Sequence, residues 1–336
     1  MTAPKAVSLA WVMTVLWLAM AFVMFAAPQW SHAQSPEPVR RLGYLGTGSP
    51  DSGFHAQFVQ GLRELGWAVG RNIEIEYRFA EGRYDRLPEF AAELVRLNVE
   101  IIVAQPTAAA LAARNATRTI PIVMLNTGDP VGLGLVASLG RPAGNVTGTA
   151  YTVGSETFGK GLELLKEAVP KLSRVAVLSN PANPGQPLAI DNLRKAAAPL
   201  GLRLLLFEAR SPEEFAEVFE RMAGDRAEAL LVVAESLYLL HRTRLVALAA
   251  KHRMPVMYGT RENVEAGGLM SYGPSLAHAS RRGAVFVDRI LKGAKPADLP
   301  VEQPTQFELV VNLKTARELG LTLAPSLLLR TSAVVE

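Results

Sequence analysis

The sequence predicts an α/β protein of two Rossmann-like lobes with parallel sheets, and three observations carry that prediction. The first is that the chain opens the same way twice. Arg41-Leu42-Gly43-Tyr44-Leu45-Gly46 runs into Thr47-Gly48-Ser49-Pro50. Further on, Arg174-Val175-Ala176-Val177-Leu178 runs into Ser179-Asn180-Pro181-Ala182-Asn183-Pro184. Each is a short apolar run, a turn of small polar residues, then a helix-like stretch. An open parallel sheet begins this way, with its ligand crevice at the strand's C-terminal end. The second observation is the alternation of strand-length apolar runs with helical periodicity. The third is length: 336 residues suffice for two lobes, each with its own core.

In chain order, Leu42 to Leu45 reads as a strand. Phe54, Phe58, Leu62 and Leu65 share one face of a helix that stops at Gly66. Ile73-Glu74-Ile75-Glu76-Tyr77 alternates like an edge strand. Leu87 to Leu97 is helical and Ile101 to Ala104 a buried strand. Ala108 to Thr117 is helical, Ile122 to Leu125 a strand, Val131 to Leu139 a short helix, and Asn145 to Thr149 a last strand leaving the lobe. This rhythm implies helices on both faces of the sheet.

The second lobe repeats it. Helices are expected at Phe158 to Ala168, Leu188 to Pro199, Pro212 to Met222, Leu237 to His252 and Leu276 to Leu291. Strands are expected at Val175 to Leu178, Leu202 to Glu208, Ala229 to Ala234, Val256 to Tyr258 and Gly268 to Tyr272. A strand from Phe307 to Val311 and a helix from Lys314 to Leu319 follow. These are more elements than one lobe needs. The chain is therefore expected to cross between lobes more than once, with residues 40–150 and 272–298 forming the first lobe and 151–271 and 299–336 the second.

Residues 1–33 read as a cleaved export signal. Lys5 supplies the positive end, Val7 to Ala27 is nearly all apolar, and Ser31-His32-Ala33 has small residues where cleavage expects them. The alternative is an uncleaved anchor, since the apolar run approaches the roughly 20 residues that span a bilayer. Export implies a periplasmic protein. The sequence has no cysteine, which excludes a disulfide framework, a thiol nucleophile and a zinc-thiolate site. Net charge is +4 and the basic residues are dispersed, so no nucleic-acid partner is expected.

Candidate binding residues lie in the loops after the strands. In the first half these are Ser49, Thr107, Asn126 and Thr127. Thr107 is placed to cap the helix that follows; free N–H groups at that helix start would also hold a ligand carboxylate. Asp129-Pro130-Val131 resembles a helix start, which makes Asp129 a cap rather than a catalytic acid. In the second half the candidates are Asn180, Glu235, Tyr258 and Tyr272. Glu235 is either a ligand-ammonium partner or a solvated charge in a first helical turn. The tyrosines either stack on a planar ligand or close the edge of the core.

Enzyme chemistry has little support. The five histidines are scattered, and no nucleophile elbow, phosphate loop or H-E-x-x-H sequence occurs. No catalytic residue, metal or cofactor is expected. The rival readings are a hydrolase using Asp129 and Glu235 as an acid pair, and a protein that presents ligand to a membrane sensor.

Several longer stretches resemble one family. They are Gly61-Leu62-Arg63-Glu64-Leu65-Gly66-Trp67 with Asn72-Ile73-Glu74-Ile75-Glu76-Tyr77-Arg78, Gly128-Asp129-Pro130-Val131, Arg141-Pro142-Ala143-Gly144-Asn145-Val146-Thr147-Gly148, Gly268-Leu269-Met270-Ser271-Tyr272-Gly273 and Leu299-Pro300-Val301-Glu302-Gln303-Pro304-Thr305. Together they are similar to the ABC transporter substrate-binding proteins that include tryptophan-binding members. The resemblance implies a type 1 periplasmic-binding fold with a multi-strand hinge. It also implies a small-molecule ligand, with amino acids among the candidates, and a membrane permease as partner. The protein is expected to be monomeric.

Overall fold

The structure, a computed structural model, describes residues 39–152 and 155–336. The expected export signal lies outside the described residues. Among them, no helix is long and apolar enough to cross a membrane.

The first sheet has five parallel strands in the order β2-β1-β3-β4-β5. These are β1 (Arg40–Gly46), β2 (Ile73–Phe79), β3 (Ile101–Gln105), β4 (Ile122–Gly128) and β5 (Val146–Thr152). β3 is buried along its whole length, as its unbroken apolar run requires between helices on both faces. β2 lies at the sheet's edge, in keeping with its alternating sequence. The helices Leu87–Arg96 and Thr107–Ala116 cover one face. The other is covered by Phe54–Glu64 and by a helix from far along the chain, Leu276–Leu291.

The second sheet has seven strands in the order β12-β11-β10-β9-β8-β6-β7. They are β6 (Arg174–Ser179), β7 (Arg203–Glu208), β8 (Ala229–Val232), β9 (Val256–Tyr258), β10 (Met270–Pro274), β11 (Phe307–Asn312) and β12 (Ala333–Val335). Among the pairings, only β10 with β11 is antiparallel. The helices Glu156–Ala168 and Gln186–Ala197 pack on one face, and Phe215–Gly224 and Arg242–Lys251 on the other.

Helix Leu276–Leu291 returns to the first lobe and lies against Phe54–Glu64. The contact is close because Gly61 has no side chain: a Cβ there would sit 2.5 Å from the Arg281 carbonyl oxygen. Trp67 Nε1 donates to Asp288 Oδ1 at 3.0 Å beside it. The crossing points differ by a few residues from the sequence boundaries. β10 stays in the second sheet through Pro274, whereas Leu299 and Val301 are buried in the first lobe's cores. Glu302 then pairs with the edge of β5, its N–H donating to the Gly148 carbonyl at 2.9 Å, before the chain leaves for β11.

Other expectations need correction. Val131 to Leu139 is a series of turns, not a helix. Gly134 adopts φ +65, and the Leu135 and Val136 N–H groups both reach back to the Pro130 carbonyl. The helix expected from Leu237 to His252 is broken at His241 into Ser236–Leu240 and Arg242–Lys251. The apolar periodicity runs on through that break, which is why it was not legible. The short helices Arg261–Glu265 and Pro325–Leu328 and strand β12 were not anticipated. Each is too brief to establish a period.

Candidate functional site

The C-terminal ends of both sheets face one cleft, and a cavity of about 330 Å³ lies in it. That volume is at the lower end of ordinary small-ligand sites. The first lobe contributes Ser49, Thr107, Asn126 and Asp129 beside the apolar Phe54, Phe79 and Leu133. The second contributes an apolar and aromatic recess from Phe158, Leu231, Val233, Met257 and Tyr272, bordered by the polar Asn183, Gln186, Glu235 and Glu262.

Two pairs of side chains close the lobes on each other. The Tyr84 hydroxyl, in the turn after β2, donates to Glu235 Oε1 beyond β8. The hydroxyls of Thr47 and Ser236 share a second hydrogen bond. Near the crossing strands, the Tyr151 hydroxyl donates to the Gly259 carbonyl at 2.6 Å.

Glu235 is not a solvated charge. It is 7% exposed and caps the helix Ser236–Leu240 through the Leu237 N–H. Its Oε1 also accepts from Tyr84 and, at 3.3 Å, from Asn180 Nδ2, and its Oε2 accepts from Asn183 Nδ2 at 2.6 Å. Three of these donors fall on Oε1 and one on Oε2, so Oε2 keeps an acceptor site. Burial raises its pKa, opposed by the donors. It joins the two lobes through Tyr84 and also lines the cavity. Asp129, the other member of the acid pair, accepts from the Gly132 N–H through Oδ1 at 2.9 Å and so caps its own turn.

The remaining candidates divide. Ser49, Thr107, Asn126 and Tyr272 line the cavity. Thr107 is the first residue of its helix and not the cap; its hydroxyl accepts from the Gly128 N–H at 2.9 Å, leaving the hydroxyl proton free to donate. Tyr272 is half-buried and stacks on Phe307, with ring centroids 5.6 Å apart. Thr127 and Asn180 are fully buried and do not line the cavity; Asn180 acts through Glu235. Tyr258 reaches the cavity wall, but its ring is 1% exposed and packs in the core with Tyr238 and under Gly268. It offers no free face for stacking.

Sequence reasoning missed Tyr84, Ser236, Gln186 and Phe158. Tyr84 sits between a strand and a helix with no motif around it. Gln186 opens a helix at the cavity, and its Oε1 is buried with no partner among the described residues. Glu262 Oε2 is in the same state, and burial raises that group's pKa.

The ABC transporter substrate binding protein family matches residues 53–335. The chain belongs to that family. The two-lobed architecture is that of type 1 periplasmic binding proteins. A curated relative named tyrosine-binding protein, from Clostridioides difficile (strain R20291), is 26% identical over 264 residues, covering 79% of this chain and 75% of the relative. A solved ABC domain in complex with L-Trp, from Streptococcus pneumonia, is 26% identical, with 88% of this chain and 99% of that one covered, at TM-score 0.81. The ligand-free, open structure of a substrate binding protein with adhesive properties, from Clostridium difficile, matches at the same identity and coverage with TM-score 0.63. At equal identity, this family member superposes better on the ligand-bound relative than on the open one. The hydrogen bonds that join its lobes agree with that.

Proposed function

We propose that this protein is the exported solute-binding component of an ABC import system. It captures an amino acid with an aromatic side chain between its lobes and delivers it to a membrane permease. The observation that carries this reading is the lining of the cleft. It sets polar groups, among them Ser49, Thr107 and Asn126, beside an apolar and aromatic recess of Phe158, Val233, Met257 and Tyr272. An amino acid likewise joins a polar head to a side chain. The relatives named for tyrosine and solved with tryptophan support the same class.

In this reading Thr107 and Ser49 face the ligand's carboxylate, and Tyr272 lies along its side chain. The first lobe, with its returning helix Leu276–Leu291, and the second lobe move as two bodies about the crossing strands. Closure forms the Tyr84–Glu235 and Thr47–Ser236 contacts and gives the permease a surface absent from the open form. The protein acts as a monomer.

Mass spectrometry of small molecules released from freshly purified protein, followed by calorimetry with the twenty amino acids, tests the reading. Tryptophan or tyrosine is expected among the ligands, with a smaller radius of gyration by small-angle scattering on binding. Binding of none of the twenty, or an unchanged scattering profile at saturation, overturns it.

A further inference from the structure

A buried polar chain forms the floor of the cleft in the first lobe. The Tyr44 hydroxyl donates to Gln105 Oε1, and Gln105 Nε2 donates to Ser280 Oγ at 3.0 Å. Asn126 Nδ2 donates to the same Ser280 Oγ at 3.1 Å and to the Leu276 carbonyl at 3.2 Å. The chain ties β1, β3 and β4 to the helix Leu276–Leu291, and every member is buried.

This arrangement determines which end of the Asn126 amide is free. The Leu276 carbonyl can only accept, so the atom facing it must be the amide nitrogen. The other end, Oδ1, is then left over. It is buried with no partner among the described residues, and Asn126, itself 5% exposed, lines the cavity. A buried carbonyl without a donor is destabilising, and such groups call for an explanation.

The backbone adds a second, independent observation. Asn126 holds φ +54 inside β4, where the pairing with β5 slips between Met124 and Thr127. A left-handed residue in a broken ladder re-aims its side chain at a conformational cost, and such costs concentrate where ligands bind. The charge of the cavity indicates what ligand group would meet it. Asp51, Asp129, Glu235 and Glu262 line it against Arg242, whose Nη1 donates to the Leu239 carbonyl. Such a surplus favours a cation over an anion, and a carbonyl accepts from an N–H. A ligand ammonium meets both requirements.

We propose that the side-chain carbonyl of Asn126 accepts a hydrogen bond from the ammonium of an amino-acid ligand. This deepens the function proposed above and rests on it. The Thr107 hydroxyl, bonded to the N–H of Gly128 two residues further along, lies beside it for the carboxylate. The first lobe then recognises the α-amino-acid head, and the second takes the side chain.

Calorimetry with L-tryptophan and its des-amino analogue, 3-indolepropionate, tests the proposal on the unaltered protein and on Asn126→Gly, chosen because glycine accepts φ +54. The unaltered protein should prefer tryptophan by about a hundred-fold, the scale of a charged hydrogen bond. Asn126→Gly should lose most of that preference while binding the analogue within about three-fold of the parent. Parent protein that binds tryptophan and its analogue equally overturns the proposal without any variant, so misfolding of Asn126→Gly cannot hide the answer. A preference retained in Asn126→Gly, or one abolished instead by Glu262→Gln, also overturns it. Failure of the parent to bind any amino acid would instead overturn the functional reading beneath it.

Discussion

The Tyr84 hydroxyl donates a hydrogen bond to the Glu235 carboxylate across the cleft, joining the two lobes at a buried point. The two residues are 151 positions apart in the chain, and Glu235 is held ready for the bond by Asn180, Asn183 and the Leu237 N–H. In an opened molecule the second-lobe partners would remain with Glu235, and Tyr84 would turn to water. The bond therefore contributes to closure more than to the stability of either lobe.

Tyr84→Phe removes that donor and keeps the ring. A hydrogen bond to a charged group is worth about 1.5–3 kcal/mol, so ligand affinity should fall by roughly ten-fold or more while thermal stability changes little. Calorimetry and a melting curve read the two effects separately. Unchanged affinity would show that closure depends on other contacts.

Burial raises the pKa of Glu235 above its ordinary 4.5. A group whose pKa rises on folding stabilises the fold fully below its unfolded value, and that contribution is lost as pH rises through the folded value. Glu235→Gln cannot titrate. The stability of the variant relative to the parent should therefore improve as pH rises from 4.5 through the raised value, then level off. Denaturant melts of both proteins at a series of pH values measure the difference; a flat difference contradicts the assignment.

Gly61→Ala should destabilise the first lobe, because the added Cβ meets the Arg281 carbonyl and the Ala284 side chain, 2.9 Å away. Overpacking of this kind costs about 1–3 kcal/mol. The denaturation midpoint should fall. If it does not, the helix Leu276–Leu291 can shift away at little cost.

Phe158→Ala enlarges the apolar recess. It should weaken tryptophan by about 1–3 kcal/mol, the worth of contact with a large apolar side chain, and weaken a small amino acid such as alanine much less. Competition binding compares them. Equal losses for both would indicate that Phe158 only packs the lobe.

The sequence by itself determined the two lobes. The repeated opening at Arg41 and Arg174, the unbroken apolar run of β3 and the alternating β2 are local patterns, and parallel sheets between helices leave few other ways to bury them. It also located the polar loops, because strand ends and turn residues mark them directly. Tertiary structure decided which loop residues face the cleft. Tyr258 ends β9 and Tyr272 lies within β10, and opposite faces of one sheet put the first in the core and leave the second stacked on Phe307 at the cavity. For Glu235 the sequence left a ligand partner and a solvated charge both open, because its donors come from positions 84, 180 and 183, and no local window contains them. Asn126 reads from sequence as a loop residue but lies inside β4, and its free carbonyl was not legible, because the Leu276 carbonyl that orients it arrives with a helix returning from 150 residues away. Periodicity is a property of neighbours in sequence, whereas a hydrogen bond left open is a property of neighbours in space.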